Sequence, residues 1–504
     1  MSQRRQETLY RPQSGFDLLR IPLVGAALKS RYGRLILQLP FLLVAILLII
    51  DGFTGPQRAS TNLATVVPWV HYRGLVVLVI LLAGNLFCMG CPFTIPRTLA
   101  KRLSRRGRRF PRILRNKWLA ILSLFGLFFI YEWLDLWASP LLTAWVIIAY
   151  FVASFVLEAV FSESAFCKYV CPLGTFNFVY STASPTQIAI KDETVCASCV
   201  GKECVNGSYA PQTNIRIDQI PIGDGQTTAR EVKHQPQGTL GCGTELFPPQ
   251  IKSNMDCVFC LDCVRACPHD NIGLMTRTPG RELHQPHAWS KRWDVSLLVI
   301  MLAFMAVVNA FGMVPPVFRL LAWLATYGIN EFFALLLIFG GGSLLLPVIV
   351  TVIAAHLTRT LTNTARTISL RDTVATFAPA FVPLGFGIWI AHYGFHFLIA
   401  PLSVIPIMQE FLGASMGDWE RFGFTVDASI IGLVQVVALL GGFLWSMVLA
   451  QRASVRVYQR QSFAGLMPWA LTLLLLMLTA YQVFTLPMEM RGTDDIFAYL
   501  LAWI

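Results

Sequence analysis

Long apolar stretches alternate with short polar ones along most of the chain. Crossing a bilayer takes about 17–25 predominantly apolar residues. Runs of that kind fall at roughly 35–51, 72–91, 118–138, 141–160, 295–314, 332–355, 374–400, 428–450 and 464–486, the first of them short. Residues 161–292 interrupt the pattern with a polar stretch. The pattern therefore predicts a mainly α, polytopic membrane protein with about nine transmembrane helices. A basic segment, 1–34, precedes a four-helix membrane half at 35–160. An inserted domain at 161–292 follows, and then a five-helix membrane half at 293–504.

Composition agrees. The chain is 55% hydrophobic and 13% charged, against about 25% charged in soluble chains, which excludes one large soluble domain. A net charge of +12 would suit nucleic acid, but its placement speaks for membrane topology. Segment 1–34 carries seven basic residues, and 92–117 carries ten with no acid. Turns 356–373 and 451–463 add Arg359, Arg366, Arg371, Arg452, Arg456 and Arg460, whereas loop 401–427 holds Glu410, Asp418, Glu420 and Asp427. Nine alternating crossings put every basic loop on one face, which the positive-inside rule makes cytoplasmic. The expected location is the inner, cytoplasmic membrane, multi-pass, with the inserted domain in the cytoplasm and the C-terminus outside. The basic run 105–109 lies between two spans, so lipid is its expected partner and nucleic acid is not. No cleavable leader is expected in the polar, basic first 34 residues. Segment 16–30 reads equally as a surface helix or as plain leader.

Twelve cysteines change the picture. Cys257, Cys260, Cys263 and Cys267 stand in C-x2-C-x2-C-x3-C-P, the spacing of an iron–sulfur loop rather than of a disulfide framework. Thiolate ligation needs a reducing compartment, again the cytoplasmic side. Upstream stand Cys196-x2-Cys199-x4-Cys204 and then Cys242, beyond an insertion at 205–241 that reads as a surface loop. In two-cluster ferredoxins the Cys before Pro serves the other cluster. That rule gives Cys196, Cys199, Cys204 and Cys267 as one set and Cys257, Cys260, Cys263 and Cys242 as the other. The insert is thus expected to be a ferredoxin-like α+β domain with two [4Fe–4S] clusters. A zinc ribbon is the competing reading.

The other four cysteines are Cys88-x2-Cys91-Pro92 and Cys167-x3-Cys171-Pro172, at the expected cytoplasmic ends of the second and fourth spans. Similar Cys-Pro pairs on two hairpins suggest an internal duplication. Four thiols on one face are candidates for a third centre, iron–sulfur or a single iron. Separate redox dithiols and buried structural cysteines are the alternatives.

On the segments CMGCP at 88–92, CKYVCPLG at 167–174 and CVFCLDCVRACP at 257–268, the chain resembles the membrane polyferredoxins of the NapH/NosR type, which accompany periplasmic nitrate reductase and nitrous-oxide reductase. The resemblance covers about residues 72–275. It implies paired Cys-Pro motifs flanking membrane helices, a cytoplasmic two-cluster ferredoxin, and electron transfer between quinol or cytoplasmic donors and a partner across the membrane. This chain differs in the x2 spacing of its first motif, where the family usually has x3. It also has no room for a large periplasmic flavin domain, and it carries five further spans.

In the second half, His392 and His396 are four apart within an apolar run, hence on one helix face. Ionisable groups inside spans are functional hypotheses by default. A haem b, a quinone site and plain helix–helix hydrogen bonding are the readings for this pair. His71, Glu132, Asp135 and Glu331 are further groups on the expected outer side, and His356 lies at the opposite end. Gly340–Gly342 lacks the Lys-Ser/Thr of a phosphate loop and reads as close helix packing.

The expected function is electron transfer between a cytoplasmic or quinone donor and a partner redox protein, as a component of a membrane oxidoreductase. The alternative is a reductive maturation or regulatory factor for a membrane or periplasmic metalloenzyme. A solute transporter gives no reason for twelve cysteines.

Overall fold

The computed structural model describes residues 15–30, 32–97, 100, 108–207, 239–285, 289–413 and 424–487. The insertion at 208–238, residues 101–107 of the basic loop, Asp418, Glu420 and the C-terminus lie outside them. The chain is mainly helical. A short helix, Pro22–Lys29 (α1), leads into Gly33–Thr54 (α2), Leu63–Ala83 (α3), Trp118–Trp133 (α4), Pro140–Val160 (α5) and Pro172–Tyr180 (α6). Beyond the polar insert come Trp293–Phe311 (α7), Glu331–Leu361 (α8), Leu370–Ile399 (α9), Ala428–Tyr458 (α10) and Ser462–Thr485 (α11).

Among the described residues seven helical stretches are long and apolar enough to cross a membrane, where the sequence pattern predicts nine. The difference has two sources. The run at 118–138 yields only 16 helical residues in α4, because Asp135 takes a left-handed backbone (φ 45°) and turns the chain toward Ser139, whose hydroxyl caps α5. The last two runs belong to one apolar stretch, Ala428–Thr485, which folds back on itself as α10 and α11.

The second run is also displaced. It is predicted at 72–91, but α3 begins at Leu63, where Asn62 accepts from the Ala64 N–H and Asp51 accepts from the Leu63 N–H. It ends at Gly84, whose φ of 72° is open to glycine and closed to most side chains. A Cβ there would press on Ser184 and Thr186, so this stop also lets the membrane helix meet the first strand of the insert. Cys88 and Cys91 consequently sit beyond the helix, in the turn around Leu86–Met89.

Burial separates the helices. In their most apolar windows α7 is 89% and α9 is 83% buried, against 22–39% for the other candidate spans. A helix buried all round must be apolar all round, and α7 and α9 meet that demand as the centre of the bundle. α9 packs on α7, α10 and α3, so the second membrane half closes directly on the first. Of the three glycines at 340–342, Gly342 marks a close approach, with Val308 2.8 Å from where its Cβ would stand.

The insert holds a two-stranded antiparallel sheet, β1 (Thr186–Ile190) and β2 (Ile272–Thr276), with Ile188 opposite Leu274. Its core contains Ile188, Ile190, Phe259, Val264, Ile272 and Leu274, together with Leu19 and Leu28 from the N-terminal segment. Asp17 bridges to Met275, Lys29 pairs with Asp270 at 2.9 Å and Lys191 with Asp17 at 3.1 Å. Segment 15–30 is thus part of the insert's core, with Leu23 on its exposed face.

Candidate metal centres and an adjoining cavity

The twelve cysteines are unpaired by disulfides and fall into three groups of four. Cys196, Cys199, Cys204 and Cys267 line one small cavity. The short helices at 193–197 and 203–206 present Cys196 and Cys204, and Cys199 lies in the turn that joins them, where Lys202 is left-handed (φ 46°). The Asn271 side chain donates to Cys196 Sγ (3.2 Å), and its backbone N–H donates to Cys267 Sγ (3.4 Å).

Cys242, Cys257, Cys260 and Cys263 line a second cavity. Here Phe259 and Leu261, both buried, have positive φ (49° and 58°). Each costs about 1 kcal/mol or more for a non-glycine residue, and each bends the loop so that successive thiols turn inward. Cys242 joins through its own N–H, which donates to the Cys204 carbonyl at 2.9 Å, and its sulfur accepts from the Leu246 N–H at 3.4 Å. Each of the two sets of four read from the motif spacing lines one cavity.

The third group is Cys88, Cys91, Cys167 and Cys171. Cys171 has Cys167, Cys91 and Cys88 within electrostatic reach. Pro92 and Pro172 begin short helices directly after their cysteines, where a missing N–H costs nothing. Asn177 donates to Cys88 Sγ (2.8 Å), the Gly174 N–H donates to Cys171 Sγ (3.3 Å), and Gln38 donates to the Cys91 carbonyl (2.8 Å).

The groups stand in a row. Cys257 has Cys88 among its neighbours, and Cys263 has Cys204. Asn85 links the first two groups by donating to the Cys257 carbonyl at 2.6 Å. Between them lies a buried ionic cluster: Arg97 reaches Glu158 (3.8 Å) and Asp262 (3.4 Å), while Arg34 and Arg265 also reach Asp262. Burial alone would raise the Asp262 pKa, but Arg97, Arg34 and Arg265 bring it below the usual carboxylate value.

Burial pushes the thiols up: Cys88, Cys91, Cys167 and Cys260 to about 12, Cys196 to about 11, and Cys257, Cys263 and Cys171 well above their ordinary value. A thiolate in such a place is stable only beside a strong positive centre. Among the described residues no three His, Cys, Asp or Glu groups stand close enough to hold a single metal ion. Zinc at about 2.3 Å from each sulfur would need the sulfurs under about 4 Å apart. Each loop set of four thiols lines a small cavity of its own.

An apolar cavity of about 190 Å³ opens among α2, α3, α4 and α5. Tyr72, which adjoins Cys88, Cys91 and Cys171, lines it together with Tyr150, Pro92 and Pro172. So does Arg73, whose guanidinium sits 4.1 Å from the Tyr131 ring, 4.6 Å from Trp69 and 5.2 Å from Tyr393. His392 and His396 are fully buried on α9, with their Nε2 atoms 3.2 Å apart. That spacing excludes the pair as the two axial ligands of one haem, which stand on opposite faces of a ring. The two histidines do not line the cavity. His71 bonds the Val66 carbonyl, Glu331 begins α8, and His356 lies near the other end of α8.

In comparisons with family models, curated proteins and solved structures, nothing matches this chain. The functional argument therefore rests on the groups themselves. Sequence reasoning missed Arg73, which lies inside the run predicted at 72–91. It also missed the Arg97–Asp262–Glu158 cluster. An ionisable residue at the end of an apolar run, as Glu158 is, was the available signal.

Proposed function

We propose that this chain is a multi-pass inner-membrane iron–sulfur electron-transfer protein of the NapH/NosR polyferredoxin type. It takes electrons from a quinol or a cytoplasmic donor and hands them to a partner redox protein, as a component of a membrane oxidoreductase. The observation that supports this reading most is the division of the cysteines into three neighbouring groups of four. Cys196, Cys199, Cys204 and Cys267 would hold one [4Fe–4S] cluster, and Cys242, Cys257, Cys260 and Cys263 a second, in a ferredoxin-like domain. Cys88, Cys91, Cys167 and Cys171 would hold a third iron–sulfur centre. Such clusters, when bound, supply one-electron oxidation and reduction at potentials set by charge, burial and hydrogen bonds to sulfur.

The chain's own residues do the rest. Asn271, Asn177 and the N–H groups of Gly174 and Leu246 donate to sulfur and favour the more negative, reduced state. Arg97 and Arg34 add positive charge between the membrane-edge group and the next. The cavity suits a quinone head group: its walls are apolar, Tyr72 and Tyr150 lie toward the cysteines, and Arg73 offers a buried positive charge. With α4 counted as a short crossing and α10 and α11 as two, the nine-span map keeps the basic loops and the cysteine groups on the cytoplasmic side.

Anaerobic purification of the full chain tests the reading. Three full clusters give about twelve irons and as many acid-labile sulfides per chain, with EPR signals from each on reduction. Stoichiometric zinc without labile sulfide would overturn it.

A further inference from the structure

Near the C-terminal ends of α7 and α9, His392 Nε2 has a second imidazole nitrogen and a thioether sulfur as close neighbours. His392 Nε2 lies 3.2 Å from His396 Nε2 and 3.4 Å from Met313 Sδ. All three residues are buried, at 0%, 3% and 4% exposure. The histidines come from successive turns of α9, and Met313 comes from the turn after α7. A thioether carries no hydrogen. If His396 donates to His392, the Met313 sulfur faces a nitrogen that has nothing to give it. If His392 donates, its single N–H is shared between the sulfur and the His396 nitrogen. One cation at the centre would satisfy all three atoms at once.

We propose that His392, His396 and Met313 form a binding site for a soft monovalent metal ion, Cu⁺. Two imidazole nitrogens and one thioether at about 2.0–2.3 Å from a metal, about 110° apart, stand about 3.3–3.5 Å from one another, close to the two spacings found from His392 Nε2. Thioether sulfur selects Cu⁺ over hard or divalent ions, and no carboxylate shares the set. A single charge also suits the surroundings. Arg73 lies within electrostatic reach of both histidines and opposes a divalent ion, while the Glu132 carboxyl packs against Gly312, next to Met313, and supplies negative charge. This site is independent of the cysteine groups and stands whether or not those hold clusters.

Selenium separates it from the twelve thiols, which also bind Cu⁺. The full chain, its methionines replaced by selenomethionine and its iron and sulfide loaded anaerobically, would be titrated with Cu⁺ from a buffering chelator and read by X-ray absorption at the selenium and copper edges. The expected result is a selenium–copper contact for one of the 14 methionines, with nitrogen neighbours on copper. Met313→Leu should abolish that contact and weaken Cu⁺ binding about 10–100-fold, leaving the iron content unchanged. His396→Gln should weaken binding similarly. No selenium–copper contact at saturation, a contact that survives Met313→Leu, or displacement of Cu⁺ by Zn²⁺ would each overturn the proposal. Should Met313→Leu fail to fold, the labelled unsubstituted chain decides it by the presence or absence of the contact.

Discussion

The loop-borne cysteine groups and the membrane-edge group reach similar arrangements by different means. In the insert, thiols turn inward because the backbone between them is forced into left-handed conformations at Lys202, Phe259 and Leu261. The surrounding core is small and needs Leu19 and Leu28 from the N-terminal segment to close it. At the membrane edge, helix ends and prolines place the thiols, and an ionic cluster of Arg97, Arg34, Asp262 and Glu158 joins that group to its neighbour. The loop groups thus depend on local chain geometry. The membrane-edge group depends on which helices pack together.

The sharpest break in this comparison is a single substitution in the loop group. Cys263→Ser should remove about four of about twelve irons and bring electron transfer to background, while the membrane-edge EPR component persists. Losing all components together would show that the groups fold as one body.

Membrane-edge substitutions come next. Each of Cys88→Ala, Cys91→Ala, Cys167→Ala and Cys171→Ala should remove one and the same EPR component and cut quinol-driven transfer to a similar degree, because a relay fails as a unit. If the Cys88 and Cys91 variants keep the component that the Cys167 variant loses, the two pairs are separate.

Asp262→Asn addresses the joint between the groups. It leaves Arg97, Arg34 and Arg265 without their shared carboxylate, and breaking a buried pair costs about 3–5 kcal/mol, measurable by denaturant unfolding in detergent. The sign with pH follows. The folded Asp262 pKa lies below the usual carboxylate value, so its stabilisation is full above the unfolded value and is lost as pH falls through the folded one. The difference between wild type and variant should stay constant from neutral pH to about pH 4 and shrink below it. A difference that grows in acid would mean that the carboxyl is protonated in the native state.

The smallest effect belongs to the pair that ties α1 to the insert. Lys29 and Asp270 are partly exposed, at 34% and 41% of their side chains. Lys29→Ala should therefore cost under about 1 kcal/mol, whereas Leu28→Ala, which opens the shared core, should cost about 2–5 kcal/mol. Equal costs would mean that charge rather than packing holds the segment.

The amino-acid sequence by itself determined the apolar helical architecture and which cysteines of the insert gather at a common cavity. Both are local properties: apolar run length decides what a bilayer accepts, and Cys spacing with a following proline decides which thiols a tight loop can turn to one centre. The sequence did not determine where helices stop. Gly84 and Asp135 end α3 and α4 through backbone conformations that a hydropathy pattern does not register. Nor did it determine the role of segment 15–30, whose few apolar residues gain meaning only against β1 and β2. Tertiary packing alone decided that α7 and α9 form the interior, that Arg73 faces a cavity rather than the membrane surface, and that Met313 meets His392 across 79 positions of chain. Such contacts join residues from separate helices, and helix–helix packing in a bilayer is set by shape and by a few polar groups, information that is spread over the whole chain rather than written in any one stretch of it.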